Sequence, residues 1–191
     1  MMTPIVSSRA GRACPVRAHV FGISRTGEGA KNQMISTENG LKRVAELAST
    51  QDWLAVLVTM RTNGEPAVSV VNAGVVAHPV TGEQVLALVS RGGTTKLRNL
   101  RKTPQATLVF RSGWDWIAVT GPVQIAGPDD ELPGLPADRV PQLLRDIYAA
   151  AGGTHPDLEE YDREMLADRR AAVFVTPQKF SSNPTPHDRE D

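Results

Sequence analysis

The sequence predicts a mostly β protein with peripheral helices, built as a six-stranded antiparallel barrel. Three observations lead there. About six segments of the 191-residue chain carry strand patterns. Most are joined by connections of hairpin length, and few helices intervene. A doubly wound parallel sheet needs a helical crossover between most of its strands, so it is excluded. A small antiparallel barrel fits.

The elements follow in order. Residues Leu41 to Ser49 form a short helix pattern, with Leu41, Val44, Ala45, Leu47 and Ala48 on the apolar side. Trp53 to Arg61 is a strand. Asn63-Gly64 is a hairpin signal, and Pro66 to Val71 is the returning strand, with proline at its tolerated first position. Ala73 to His78 continues extended, Pro79 to Gly82 turns, and Gln84 to Ser90 is the next strand. After a short helix come a strand at Ala106 to Arg111, a turn at Ser112 to Asp115, and the longest strand, Trp116 to Ile125. Pro122 marks a bulge or an edge position within it. Gly127 to Ala137 reads as a linker. Helices at Arg139–Ala151 and Asp157–Asp168 precede a last strand at Ala171–Thr176.

The segment from Gly92 to Pro104 carries the most chemistry. It reads as a glycine turn, a helix over Thr94–Lys102 and a proline stop, and its helix is basic with no acid. A helix N-terminus offers free backbone N–H groups and a partial positive charge. With Thr94 and Lys96 there, it makes a seat for an anion, most plausibly phosphate. Helical geometry puts Lys96 and Asn99 on one arc as ligand contacts, and turns Arg98 and Lys102 another way. The competing reading is a soluble basic helix. No Gly-Lys-Ser/Thr follows the glycines, so this is not a P-loop.

Other polar and aromatic residues add less. Ser69 and Asn72 interrupt an apolar strand that holds Val68, Val70 and Val71; they face either a ring edge or solvent. Trp114 and Trp116 flank a turn and would point to one side of a regular strand, to line a flat ligand or an interface, or to pack in the core. The four histidines have no ligand spacing, which argues against a metal site. No Ser/His/Asp or Cys/His set can be assembled, so no catalytic side chain is named and a hydrolase has no support.

Composition bounds the rest. Net charge is zero, which argues against a nucleic-acid-coating protein. A single cysteine, Cys14, excludes an intrachain disulfide and points to a reducing compartment, the cytoplasm. No apolar run reaches membrane-spanning length. Residues 1–33 carry five basic residues and one acid. They read as a disordered leader, or as sequence upstream of a true start at Met34. The domain is expected over 34–180, with a flexible tail over 181–191.

In order, these segments resemble the split-barrel flavin and deazaflavin oxidoreductases related to pyridoxamine 5′-phosphate oxidase. Three blocks carry the likeness: Ala55–Met60 with Asn63-Gly64-Glu65-Pro66; Thr94–Ala106; and Leu143 through Tyr148, Gly152, His155, Tyr161 and Met165 to Asp168-Arg169-Arg170. The third is similar to the subgroup that uses coenzyme F420 rather than FMN. The resemblance implies a homodimer with the cofactor at its interface. It implies that Lys96 and Asn99, with Thr94, serve the phosphate, that Ser69, Val70 and Val71 lie by the ring, and that Trp116 and Trp114 border the pocket, Trp114 on the substrate side. Its expected activity is hydride transfer from reduced F420 to an electron-poor organic acceptor. The alternatives are an FMN-dependent oxidase or reductase and a non-catalytic flavin- or tetrapyrrole-binding protein. One departure is Thr94, where close deazaflavin-type relatives often have arginine, a bidentate cation.

Overall fold

The computed structural model describes residues 35–183. The readings of residues 1–33, of Cys14 and of the tail beyond Asn183 lie outside them. Eight strands and four α-helices follow in order. They are α1 (Thr37–Ser49), β1 (Leu54–Met60), β2 (Pro66–Asn72), β3 (Gly74–Ala77), β4 (Gln84–Ser90), α2 (Thr95–Lys102), β5 (Gln105–Ser112), β6 (Asp115–Ala126), α3 (Val140–Ala150), α4 (Leu158–Ala167), β7 (Ala171–Val175) and β8 (Lys179–Ser182).

The expected class is found, mostly β and antiparallel with helices at the periphery, but with eight strands rather than six. The two additions are instructive. The extended run after Asn72 becomes a separate strand, β3, because it leaves β1 and pairs with β4. β8 arises where the chain pairs with β6 from Ile117↔Ser182 to Thr120↔Lys179.

The strand order is β2-β1-β5-β6-β7-β4-β3, with β8 on β6. The sheet is open, with β2 and β3 at its edges. β6 serves both halves. Up to Pro122 it pairs with β5, and from Val123 to Ala126 it pairs with β7. Pro122 therefore marks the corner where the long strand changes partner. Gly121 beside it is needed because a Cβ there would collide with the Thr176 carbonyl.

Two cores form on opposite faces of β4 and β7. One includes Leu57, Leu86, Leu88, Leu97, Leu100, Phe110, Ile117 and Val173, with α1 and α2 packed on it. The other joins Val85, Ala87, Ala172 and Phe174 to Leu143, Leu144 and Ile147 of α3 and to Tyr161 of α4. All five residues of β7 are consequently buried, which is why that strand reads as an unbroken apolar run.

α1 begins four residues earlier than its apolar pattern, at Thr37, with Ser36 accepting the Asn39 N–H at 3.3 Å. Gly40 reads as a helix breaker, yet it is helical, because the Phe180 ring of β8 occupies the space a side chain would need. α4 is capped by Asp157, whose carboxylate accepts the N–H groups of Glu159 and Glu160 at 2.9 Å each. Those bonds, that to Glu160 first, hold the Asp157 carboxyl below its ordinary value of 3.8. No helix among the described residues is long and apolar enough to cross a membrane.

Candidate functional site

The β1–β2 hairpin and the start of α2 enclose a cleft of about 260 Å³. Its lining comes from Thr59, Arg61, Ala67, Val68, Ser69, Thr94, Thr95 and Lys96. Strand alternation makes the sheet wall. Thr59 stands opposite Ala67, and Leu57 opposite Ser69; directly opposed residues share a face, so Ala67 and Ser69 sit together on the side that meets α2.

The hairpin turns at Arg61–Glu65. Arg61 N–H bonds the Glu65 carbonyl at 2.9 Å, Gly64 N–H bonds the Arg61 carbonyl at 2.9 Å, and Gly64 has φ +83°. That is a three-residue loop with a left-handed residue at its end, the position that calls for glycine. Its effect on the site is to bring Arg61 to the cleft's mouth. Arg61 also lies 3.9 Å from Glu65, with both side chains more than half exposed, a pairing too solvated to neutralise it.

α2 makes the other wall. Thr94 occupies the N-cap position but does not cap; its hydroxyl meets Ser90 Oγ at 3.2 Å instead. The first intrahelical bond from this end is Arg98 N–H to Thr94 O, at 3.1 Å. The N–H groups of Thr95, Lys96 and Leu97 are thus left by the helix for an outside acceptor, and Lys96 is among the residues of the lining. Arg98 folds back onto the turn, giving its guanidinium to Gly93 O at 3.0 Å and Thr95 Oγ1 at 2.9 Å. The arrangement suits an anion: free donors, a partial helix charge and two basic residues border one space.

The preceding loop is held from behind. Gly92 N–H bonds the Asp168 carbonyl at 3.0 Å, and Arg91 pairs with the Asp168 carboxylate at 2.9 Å. A Cβ on Gly92 would lie 2.7 Å from Arg169 O, so only glycine permits this approach. The far end of α2 is tied by Arg101, which forks onto Asp130 through two bonds of 2.7 Å. That contact holds the Arg101 guanidinium above its ordinary range, the Asp130 hydrogen bond being the largest cause.

The expected site residues divide. Ser69, Thr94 and Lys96 meet in the cleft. Asn99 lies beneath it, 9 % exposed, its amide given to Thr59 Oγ1 at 3.1 Å. Val71 shares the inner face of β2 and packs against the core, whereas the Val70 side chain points to the outer face and is 64 % exposed. β2 is an edge strand, so part of the backbone of Ser69 to Val71 is unpaired by the sheet. Trp114 and Trp116 stand elsewhere in the chain. Ala106, which pairs with Thr59, and Ser112, at the turn, are roughly 20 Å apart along β5 by strand rise. Trp114 is 96 % exposed at the tip of that turn and Trp116 is half-buried on β6.

Arg61 is the site residue the sequence reading missed. Its signal was present: it follows the strand and opens the Asn-Gly loop. No group of three or more His, Cys, Asp and Glu side chains comes together among the described residues.

Comparison with known proteins agrees with this architecture. A family model described as pyridoxamine 5′-phosphate oxidase matches residues 42–180, most of the chain. The chain belongs to the pyridoxamine 5′-phosphate oxidase family. Solved structures share the fold at low identity. A conserved hypothetical protein from Mycobacterium tuberculosis is 16 % identical, with a TM-score of 0.56, 82 % of this chain covered and 89 % of that one. A pyridoxamine 5′-phosphate oxidase-related, FMN-binding protein from Nostoc punctiforme is 12 % identical (TM-score 0.52, covering 74 % and 80 %). An F420 reductase is 17 % identical (TM-score 0.50, covering 74 % and 96 %).

Proposed function

We propose that this member of the pyridoxamine 5′-phosphate oxidase family is a cytoplasmic, homodimeric oxidoreductase that uses reduced coenzyme F420 to reduce an electron-poor organic acceptor. The observation that carries it is the uncapped start of α2, where free N–H groups and Lys96 open onto a cleft with Arg61 at its mouth. These residues fit the phosphate of a flavin or deazaflavin: their donors are charged or unpaired by the helix, and the lining holds no acid. The block from Leu143 to Arg170, which resembles the deazaflavin subgroup, buttresses the same loop through Asp168 and Arg169. That link supports F420 over FMN.

When bound, the reduced deazaflavin supplies two electrons and a proton as hydride. The chain's own work is binding, orientation and exclusion of water. Lys96 and the α2 N–H groups fix the phosphate, and Arg61 closes on it from the hairpin. The Ser69 hydroxyl and the free edge of β2 present polar groups to a ring edge. No side-chain acid is assigned, since close approach and alignment supply the rate. Trp114 and Trp116, far from the cleft of their own protomer, serve the cleft of a second copy.

The FMN-dependent reading rests on Thr94, where the resemblance to deazaflavin-type proteins implies an arginine. Titration of the protein with F420 and, separately, with FMN distinguishes the two. Tight saturable binding of F420 alone is expected. Preference for FMN moves the enzyme to flavin chemistry, and binding of neither removes the oxidoreductase assignment.

A further inference from the structure

We infer that Asn99 is a positioning residue of the anion site, acting through Thr59, rather than a contact of the cofactor. The inference rests on the phosphate-site reading above and deepens it. Asn99 sits mid-helix in α2 and is buried. Its Nδ2 donates to Thr59 Oγ1 at 3.1 Å, and Thr59 Oγ1 donates to the Ala67 carbonyl at 3.4 Å. One chain of hydrogen bonds therefore runs from the helix to the floor strand β1 and on to the edge strand β2. Thr59, Ala67 and the helix start are all cleft walls.

The polarity of the chain is fixed. The Thr59 proton goes to Ala67 O, so its oxygen is left to accept, and Asn99 must offer its NH₂. The lock matters because little else of polar character joins α2 to β1. Leu97 and Leu100 bury the helix in the core, but apolar contacts tolerate rotation and sliding. A directional bond between buried groups does not, since breaking it leaves a donor without a partner. The lock sets how far the α2 N–H groups and Lys96 stand from Ala67 and Ser69, and hence the width of the cleft.

The test is a cycle of Asn99→Leu, Thr59→Val and the double variant, with binding of F420, FMN and inorganic phosphate measured by calorimetry. Each single change strands one polar partner, whereas the double change replaces both with apolar groups of similar shape, which is tolerated far better. Each single variant is expected to lose about tenfold in affinity, with the double variant recovering most of it. A ligand contact at Asn99 predicts no recovery in the double variant, and that result overturns the inference. Unchanged affinity in folded single variants also overturns it, leaving Asn99 a purely structural group. A wild-type protein that binds phosphate but neither cofactor defeats the oxidoreductase reading alone, and the cycle is then judged on phosphate. Binding of none of the three defeats both.

Discussion

At the residue scale the function rests on a few polar groups whose neighbours decide what they can do. Lys96 and Arg98 lie two positions apart on one basic helix, yet only Lys96 enters the cleft; Arg98 is spent on Gly93 O and Thr95. Lys96→Ala is expected to weaken cofactor binding by about 10- to 100-fold, the worth of one charge-assisted contact. The melting temperature should hold, because Leu97 and Leu100 still anchor the helix. Calorimetric titration beside a thermal scan checks both, and unchanged affinity in the folded variant removes the phosphate seat. Lys96 was legible from the sequence because helix position is a local property. Arg61 was legible only as the residue that opens the Asn-Gly loop; that it borders the cleft was not, since that depends on how the hairpin packs beside α2. Nor was the task of Asn99, which depends on a threonine 40 residues away.

At the element scale, hairpins and helices were readable where glycine, proline and caps punctuate them. β8 was not, because Phe180 is its single apolar residue and its strand character comes from pairing with β6. The start of α1 lies four residues before the first apolar residue of its pattern, and Gly40 within it leaves room for the Phe180 ring. Two expectations belong here. Gly74 of β3 packs under the Ala150 carbonyl at the end of α3, with no room for a Cβ. Gly74→Ala should push α3 from the sheet at a cost of about 1–3 kcal/mol, read by denaturant unfolding. Asp157, whose carboxyl is held low by the α4 N–H groups, stabilises the ionised folded form. Its contribution is present above the ordinary carboxylate pKa and is lost as pH falls through the lowered one. In Asp157→Asn, melting temperature should fall less steeply across that acid window than in the wild type. Identical acid slopes would show that the cap carries no pH dependence.

At the scale of the whole molecule, the outer face of the β2–β1–β5 sheet stands out. Val70, Val56 and Val109 make one cross-strand row, and Val68, Val58 and Thr107 the next. Val68 is 65 % and Val70 64 % exposed. Exposed apolar faces of this kind serve as interaction surfaces, which supports the homodimer proposed above. Val70→Lys, which sets a charge in the middle of that face, is expected to give monomers in light scattering and to weaken cofactor binding with them. A monomeric wild type would remove the homodimer, and a variant that stays dimeric would place the contact elsewhere.

The place of β7 has a consequence for how the molecule is made. This strand lies between β6 and β4, yet it comes near the end of the chain, so that Leu86 must wait for Val175. During synthesis the β2-β1-β5-β6 and β4-β3 parts of the sheet emerge before the strand that joins them. The two parts are joined only when β7 has left the ribosome. Pairings so distant in sequence make folding slow, and the waiting intermediate is the form most exposed to association with other chains. Loss of the last strands would therefore remove the middle of the sheet rather than trim its edge.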